Sequence, residues 1–176
     1  MAKEKTNNEL QEKIFNKKRG SVKNAAQENA QQYICFMLDD EEFGINIVNI
    51  REVIPFTKFT RVNNLPQFAR GVINLRGEII ALLDTKIFFK LGGQFEKTTR
   101  KTKIIIVRDT GRDAGFIVDY VTAARMIPEN EIQQTPKNVE GISADFISGV
   151  VHTGDKPIIL LNIKKILFSE IFNEFQ

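Results

Sequence analysis

The sequence has very little of the side-chain chemistry on which catalysis and metal binding depend. Among its 176 residues there is one histidine, His152, and one cysteine, Cys35. Nucleophilic catalysis usually places a base, most often histidine, beside the nucleophile, and zinc sites draw on several cysteine and histidine ligands. Glycine-rich phosphate-binding patterns of the GxxxxGK and GxGxxG kinds are also missing. We therefore expect no enzymatic activity, no metal site and no cofactor.

The single cysteine and the lack of long apolar runs bear on the cellular compartment. One cysteine excludes an internal disulfide, and Cys35 lies between Ile34 and Phe36, where a buried and inert thiol is expected. No run approaches the roughly 18 apolar residues that a membrane-spanning helix requires. The first ten residues have no apolar segment of the signal-peptide kind. These features predict a protein of the reducing cytoplasm.

The net positive charge belongs to one end of the chain. Residues 1–32 hold seven Lys or Arg and four Glu, a net charge of +3, which equals the net charge of the whole chain. The remaining body is formally neutral and gains little affinity by displacing counterions from phosphates. With two Tyr and no Trp, it is also expected to expose few aromatic side chains for base stacking. A small-barrel nucleic-acid-binding protein is therefore the alternative function, and not the favoured one.

Residues 1–31 are predicted to form a polar, basic tail that is disordered or marginally helical. Its only apolar cluster consists of Leu10, Ile14 and Phe15. So little apolar surface does not offset the entropy lost when a chain is ordered. A docking peptide is the alternative interpretation of this tail.

From Tyr33 onward the sequence has the texture of an all-β protein. Short runs such as YICFMLD, FGINIV, TKIIIVRD and KPIILLN are rich in Ile, Val and Phe, and turn residues separate them. Helical patterns are limited to NIVNIREV, DTKIFFKL and the C-terminal IKKILFSEIFNEF. In the last, the apolar residues Ile163, Ile166, Leu167 and Ile171 recur at spacings of three and four. We expect this stripe to cover an open barrel end.

The β-rich part contains an internal repeat. A shift of 78 residues places GVINLRGEIIALLD, residues 71–84, on GVVHTGDKPIILLN, residues 149–162, without a gap. A second pair, EEFGINIVNIREVIP and DAGFIVDYVTAARMIP, aligns with a shift of 73, which places Phe43 on Phe116. The period is longer than that of solenoids and propellers. It predicts two related subdomains side by side, with chance similarity between two hairpins as the alternative.

Arg76 stands out in the first of these segments. A tight turn explains the neighbouring Gly77, but nothing in turn geometry requires an arginine. The position that matches Arg76 in the second copy is Gly154, so the repeated unit forms without the charge. Arg76 is therefore a candidate for partner contact, with a merely solvent-exposed turn charge as the alternative.

Three segments carry a resemblance to a known family: FMLDDEEFGINIVNIREVI, LPQFARGVINLRGEIIALLDTKIFF and FISGVVHTGDKPIILLNIKKIL. From Tyr33 to Phe168 the chain resembles the CheW-like domain family of bacterial chemotaxis coupling proteins. The resemblance implies an all-β fold of two small five-stranded SH3-like β-barrels packed side by side, with short helices and a C-terminal helix. Within a domain at 32–176, we expect one subdomain over about 40–95 and another over about 100–168, the latter completed by a strand at 33–39.

The resemblance also implies a function and partners. It points to a non-enzymatic adaptor that links the cytoplasmic tips of chemoreceptors to the regulatory domain of the histidine kinase CheA, in rings beneath membrane-associated receptor arrays. A receptor tip is a helical hairpin, so we expect an apolar trough between the barrels, with polar residues that fix the register.

Individual residues receive roles from the resemblance. Arg76 and Glu52 match polar positions associated with partner binding, and Arg76 offers a planar fork for carboxylates or carbonyls. Ile47, Ile50 and Val53 recur at a spacing of three and would share a face if this stretch were helical, with core packing as the alternative. The receptor-binding candidates are Arg76, Glu52, Ile47, Val53 and Leu75, and the kinase-binding candidates are Ile50 and Gly71.

Overall fold

The computed structural model describes residues 29–92, 95, 98–134, 142–154 and 156–173. The strands are β1 (Ala30–Leu38), β2 (Glu41–Asn46), β3 (Ile50–Pro55), β4 (Ala69–Leu75), β5 (Glu78–Asp84), β6 (Lys103–Asp109), β7 (Arg112–Val118), β8 (Tyr120–Pro128), β9 (Ile147–His152) and β10 (Pro157–Leu161). The helices are α1 (Thr85–Phe88), α2 (Ile163–Leu167) and α3 (Glu170–Asn173). The predicted tail lies outside the described residues up to residue 28, and β1 already begins within its last two residues.

The strands form two five-stranded sheets, each of which builds one small SH3-like barrel. One sheet has the order β3-β6-β7-β5-β4 and the other β8-β1-β2-β10-β9. We call them the central barrel (β3–β7) and the terminal barrel (β1, β2 and β8–β10). In each barrel one pair of neighbouring strands is parallel, β5 with β7 and β2 with β10. The predicted fold class is therefore confirmed.

The barrels divide the chain differently from the predicted boundaries at residues 95 and 100. The central barrel is contiguous and runs from Ile50 to Val118, so it contains β6 and β7, which were assigned to the second subdomain. The terminal barrel is completed from both ends of the chain, because β2 pairs with β10. The spacing of apolar runs does not reveal this division, since hydrogen bonding between strands distant in sequence decides it.

The repeat at a shift of 78 is structural as well as sequential. Ile73 pairs with Ile80 in the β4–β5 hairpin, and Val151 pairs with Ile158 in the β9–β10 hairpin. Both hairpins break register at the equivalent place. Because the pairing agrees residue for residue, the two hairpins are copies of one unit rather than chance look-alikes.

The second pair of repeats is related by a shift of 71, and the predicted shift of 73 was wrong. Gly44 pairs with Leu160 across β2 and β10, and Gly115 pairs with Leu82 across β7 and β5. A Cβ atom would lie 2.8 Å from the Leu160 side chain at Gly44 and 2.4 Å from the Leu82 side chain at Gly115. At both positions a side chain would have to displace a leucine methyl group, so glycine fits the close packing of the paired strands. An error of two residues keeps every side chain on its proper face of the strand, so the apolar pattern could not expose it.

The two barrels share a main hydrophobic core. Phe43 of the terminal barrel stacks on Phe89, which follows α1 of the central barrel, with ring centroids 5.8 Å apart. A smaller cluster fills the other face of the terminal sheet and includes Tyr33 and Cys35. Burial raises the pKa of the Cys35 thiol to about 11, so the thiol remains protonated at neutral pH.

The C-terminal apolar stripe is only partly as predicted, because the segment forms two helices. The residues of the stripe that lie in α2 are buried: Ile163, Ile166 and Leu167. The Ser169 hydroxyl donates to the Ile166 carbonyl at 2.8 Å and accepts from the Phe172 amide at 3.2 Å, which ends α2 and begins α3. This break turns Ile171 outward, where it is 47% exposed, and buries Phe172 instead.

Candidate partner-binding surface

The β4–β5 hairpin ends in a two-residue turn that displays Arg76. Arg76 and Gly77 both have positive φ, 54° and 93°, as type I′ turns require. The Asn74 side-chain oxygen accepts a hydrogen bond from the Gly77 amide at 2.9 Å. A left-handed backbone costs an ordinary L-residue about 1–2 kcal/mol, whereas the counterpart Gly154 adopts a φ of 95° without that cost. Arginine is therefore held at position 76 against the preference of the backbone.

Arg76 reaches from the hairpin to Glu52 on β3. Its Nη2 atom lies 3.1 Å from Glu52 Oε2, with the Arg76 side chain 74% exposed and the Glu52 side chain 19% exposed. The other carboxylate oxygen, Oε1, is buried and has no hydrogen-bond partner among the described residues. A buried oxygen without a donor is unfavourable. Glu52 therefore keeps unused acceptor capacity beside an exposed guanidinium.

A second ionic network ties β3 to the same hairpin. Arg51 is the extra residue of a β-bulge in β3, and it contacts both Glu78 and Asp113, the latter at 2.8 Å. Arg108 Nε donates to Asp113 Oδ1 at 2.5 Å. Hydrogen bonds from Arg108 and then Arg51 lower the pKa of Asp113 in spite of its partial burial. The network holds the start of β3 against the hairpin and gives the neighbouring ion pair a fixed frame.

Exposed apolar side chains adjoin this ion pair along the chain. Ile47 and Val53, both predicted receptor contacts, are each 40% exposed. Val48 and Ile79 are more exposed, at 80% and 66%, and the sequence did not single them out. Strand alternation could have identified Ile79, because it precedes a buried isoleucine in β5 and so must face outward. We call these four exposed side chains, which lie on the chain segments that carry Glu52 and Arg76, the apolar rim.

The stretch from Asn46 to Val53 is not a helix, so Ile47, Ile50 and Val53 do not share a helical face. The Asn46 side chain caps a single 3-10 turn, Ile47–Asn49, and extended backbone begins at Ile50. Pairing of β3 with β6, together with the β-branched residues of this stretch, favours the strand. As a result Ile50 is half-buried against the main core, whereas Val53 is exposed.

Two further candidates take part in packing the central barrel. Leu75 is half-buried against the main core. Gly71 is buried with a φ of +142°, and a Cβ atom there would lie 2.1 Å from the Thr60 carbonyl oxygen. This close approach lets Thr60 and Val72 exchange two backbone hydrogen bonds of 2.8 Å. Gly71 thus has a structural role and presents no side chain to a partner.

The arrangement offers binding through charge and apolar contact. In the part of the chain that the structure describes, no group of three or more His, Cys, Asp or Glu side chains could hold a metal ion. None of the helices in the described ranges is long and apolar enough to cross a membrane. What the surface does supply is an exposed arginine, an underused carboxylate and an apolar rim, which are features of protein interfaces.

The family comparison and the search for related proteins both match most of the chain to the same family. A model of the CheW-like domain matches residues 32–170. The chain is 31% identical to the Chemotaxis protein CheW of Klebsiella aerogenes over 142 residues, covering 80% of this chain and 83% of that protein. It is 30% identical to the Chemotaxis protein CheW of Helicobacter pylori over 162 residues, covering 91% and 96%.

A solved structure supports the same relationship. The crystal structure of scaffolding protein TtCheW from Thermoanaerobacter tengcongensis superposes with a TM-score of 0.73 at 33% sequence identity. The match covers 80% of this chain and 90% of that one.

Proposed function

The chain belongs to the CheW-like domain family, and on that premise we propose that it is a non-enzymatic coupling adaptor of bacterial chemotaxis. Relatives named as chemotaxis and scaffolding proteins match it over most of their length. The observation that carries the proposal is Arg76, which occupies a left-handed turn position where the repeat uses glycine. Family membership gives no support to the nucleic-acid-binding alternative.

The adaptor acts between two protein partners. One is the cytoplasmic tip of a chemoreceptor, a helical hairpin, and the other is the regulatory domain of the histidine kinase CheA. The protein works in the cytoplasm and is recruited to membrane-associated receptor arrays, where it alternates with the kinase in rings. Each interface buries about 1,000 Å² or somewhat more and is weak alone, and it gains strength through the multivalency of the array.

The receptor binds over the Arg76–Glu52 pair. The exposed guanidinium is free to form a two-pronged contact with carbonyl or carboxylate oxygens on the receptor helices. Glu52 Oε2 holds the Arg76 guanidinium at 3.1 Å, so the carboxylate orients the exposed arginine for the receptor. Ile47 and Val53 contribute exposed apolar side chains from the apolar rim. Leu75 is half-buried and packs the hairpin against the main core.

The kinase binds at the strand edges next to this surface. Ile50, at the start of β3, is half-buried and leaves part of its side chain for contact. Gly71 contributes indirectly, because it permits the close pairing of β4 with the segment at Thr60. We assign the kinase interface to the β3 and β4 side of the central barrel on this basis.

Charge reversal at Arg76 tests the receptor surface. Arg76→Glu places a carboxylate beside Glu52, so binding of a receptor fragment should weaken at least tenfold in isothermal titration calorimetry. The thermal midpoint should change little, because the side chain is 74% exposed. Arg100→Glu is the control, since it makes the same charge change at another exposed residue. Wild-type receptor affinity in Arg76→Glu would contradict the proposed surface.

A further inference from the structure

The internal repeat creates two equivalent places at the seam between the barrels, and an ionic cluster closes one of them. Lys86, on α1 of the central barrel, is buried, and its Nζ lies 2.6 Å from Asp39 Oδ1 and 2.9 Å from Asp119 Oδ2. Asp119 Oδ2 also accepts a hydrogen bond from the Asp39 amide at 2.8 Å. Asp39 lies in the β1–β2 turn of the terminal barrel. The chain's own carboxylates therefore satisfy a lysine at this end of the seam.

The equivalent place on the other side of the seam has the lysine without the carboxylates. The shifts of 78 and 71 residues give the counterparts: Lys164 for Lys86, Thr110 for Asp39 and Val48 for Asp119. The structure supports the assignment, since Asp39 and Thr110 each begin a hairpin turn with positive φ, 52° and 43°. Lys164 is exposed and forms no ion pair with any described residue. Neither Thr110 nor Val48 can supply a charge.

A cavity of about 210 Å³, lined by polar and apolar side chains, opens beside Lys164. Ser148 and Asn162 line it, and their counterparts across the seam are Arg70 and Asp84. There, Arg70 Nη1 lies 3.7 Å from the buried Asp84 Oδ2. An arginine–aspartate pair has thus been replaced by two shorter, neutral side chains. The replacement removes both charges of the pair and leaves space beside Lys164, which lacks a counterion.

We propose that this cavity, the Lys164 pocket, receives the carboxylate of an Asp or Glu side chain from the receptor tip. The inference rests on the proposed function and adds a subsite to it. Asn46 and Asn49 line the pocket and bound the turn that carries the exposed Ile47 and Val48. A receptor helix seated on that turn brings its side chains to the pocket mouth. A carboxylate is the matching group, because two carboxylates hold the equivalent lysine within the chain itself.

Nearby charged groups leave Lys164 available. Asp109 contacts the pocket residue Asn49 at 3.0 Å through Oδ2, and its Oδ1 accepts from the Thr110 hydroxyl at 2.7 Å. Each of its oxygens thus accepts one hydrogen bond from a neutral side chain. Lys165 lies 3.7 Å from Asp145, so the neighbouring lysine already has an acid within the chain. Lys164 is left to pair with an acid from outside.

Lysine substitutions and cross-linking test the pocket on the full chain. Receptor-fragment affinity should fall about tenfold in Lys164→Met and further in Lys164→Glu, whereas the control Lys165→Met should stay within about twofold of wild type. A carbodiimide, which joins an amine to a carboxylate as an amide, should link Lys164 to an Asp or Glu of the receptor fragment. Peptide mass spectrometry identifies that link. All three substitutions lie at exposed positions, so the thermal midpoint should not change.

The outcomes separate the pocket from the proposed function. Receptor binding that Arg76→Glu weakens and Lys164→Met leaves unchanged would overturn the pocket and keep the receptor surface. Equal losses in Lys164→Met and Lys165→Met would show a general charge effect and also overturn the pocket. A Lys164 cross-link to the kinase and not to the receptor would contradict the assigned partner. Absence of receptor binding by the wild-type chain would remove the proposed function itself.

Discussion

Single residues in this molecule show where backbone geometry, and not partner contact, selects the amino acid. Gly71 and Gly77 both have positive φ, but they differ in their surroundings. A Cβ atom at Gly71 would lie 2.1 Å from the Thr60 carbonyl oxygen, whereas nothing lies within 4 Å of one at Gly77. Arg76 has the same kind of backbone and is not glycine. Glycine is therefore required for steric reasons at position 71. At position 77 it only avoids the cost of positive φ, and at position 76 the chain has arginine in spite of that cost.

Alanine substitutions at the two glycines should therefore have unequal effects. Gly71→Ala should lower the free energy of unfolding by about 3 kcal/mol or more, because the new methyl group collides with backbone. Gly77→Ala meets only the cost of positive φ and should lose about 1 kcal/mol. Urea denaturation measures both values. Equal losses would contradict the structural role of Gly71 and favour a direct contact with a partner.

The resemblance identified Arg76, Glu52 and Gly71 from the sequence, but not what each one does. The steric requirement at Gly71 comes from Thr60, eleven positions earlier in the chain, and no local pattern shows that approach. The ion pair of Arg76 with Glu52 likewise depends on β3 reaching the β4–β5 hairpin. The sequence motif was therefore enough to single out these residues, but it did not show the tertiary contacts that they make.

Elements of the central barrel are held together by an ionic network that depends on pH. The β3 bulge places Arg51 over Asp113 of β7, and Arg108 of β6 binds the same carboxylate. The pKa of Asp113 is lowered below its ordinary value of 3.8, chiefly by the hydrogen bond from Arg108. A carboxyl group with a lowered pKa contributes stability that is present above pH 3.8 and is lost as the pH falls through the lower, folded-state pKa.

Asp113→Asn should accordingly lower the stability of the protein at neutral pH and have little effect on it in acid. At pH 7 the substitution should lower the free energy of unfolding by about 1–2 kcal/mol, because two arginines lose their carboxylate. In acid, as the pH falls through the lowered pKa of Asp113, the two proteins should approach each other in stability. Asp145→Asn is the control, since that side chain is 82% exposed and should have little effect. A difference that is the same at both pH values would contradict the network's role.

The C-terminal helices supply the second prediction at this scale. Phe172→Ala should destabilise the protein by about 3 kcal/mol, because the ring is fully buried in the main core. Ile171→Ala should change stability much less, by about 1 kcal/mol or below, since its side chain is 47% exposed. Thermal denaturation distinguishes the two. A larger loss of stability in Ile171→Ala than in Phe172→Ala would contradict this packing and favour the continuous apolar stripe predicted from the sequence.

The spacing of apolar residues predicted secondary structure correctly only where a helix or strand continues without a break. The predicted stripe through α2 is correct and then fails at Ser169, whose hydroxyl bonds to backbone on both sides and breaks the helix. The segment from Asn46 to Val53 has a spacing of three that suited a helix, yet pairing with β6 decides its structure. A single sequence does not show whether the helical spacing of apolar residues or pairing with a distant strand decides the local structure.

At the scale of the whole molecule, the chain builds two copies of one barrel with a permuted order of strands. The central copy is contiguous, and the terminal copy is assembled from residues 30–46 and 120–161 around it. The sequence predicted the duplication, because strands repeat their side-chain pattern, and the resemblance to the family predicted the fold of two five-stranded barrels. It could not predict which copy each strand joins. The two sides of the seam differ in side chains and not in strand order, because Asp39 and Asp119 pair with Lys86, whereas their counterparts Thr110 and Val48 carry no charge.

Reconstitution of receptor fragment and kinase with and without this protein tests its coupling role, by co-sedimentation with a kinase assay on the pellet. Kinase should sediment with receptor, and its activity should change, only when the full chain is present. Arg76→Glu should fail to restore either effect. Kinase that sediments and responds equally well without the chain would contradict its role as the coupling adaptor.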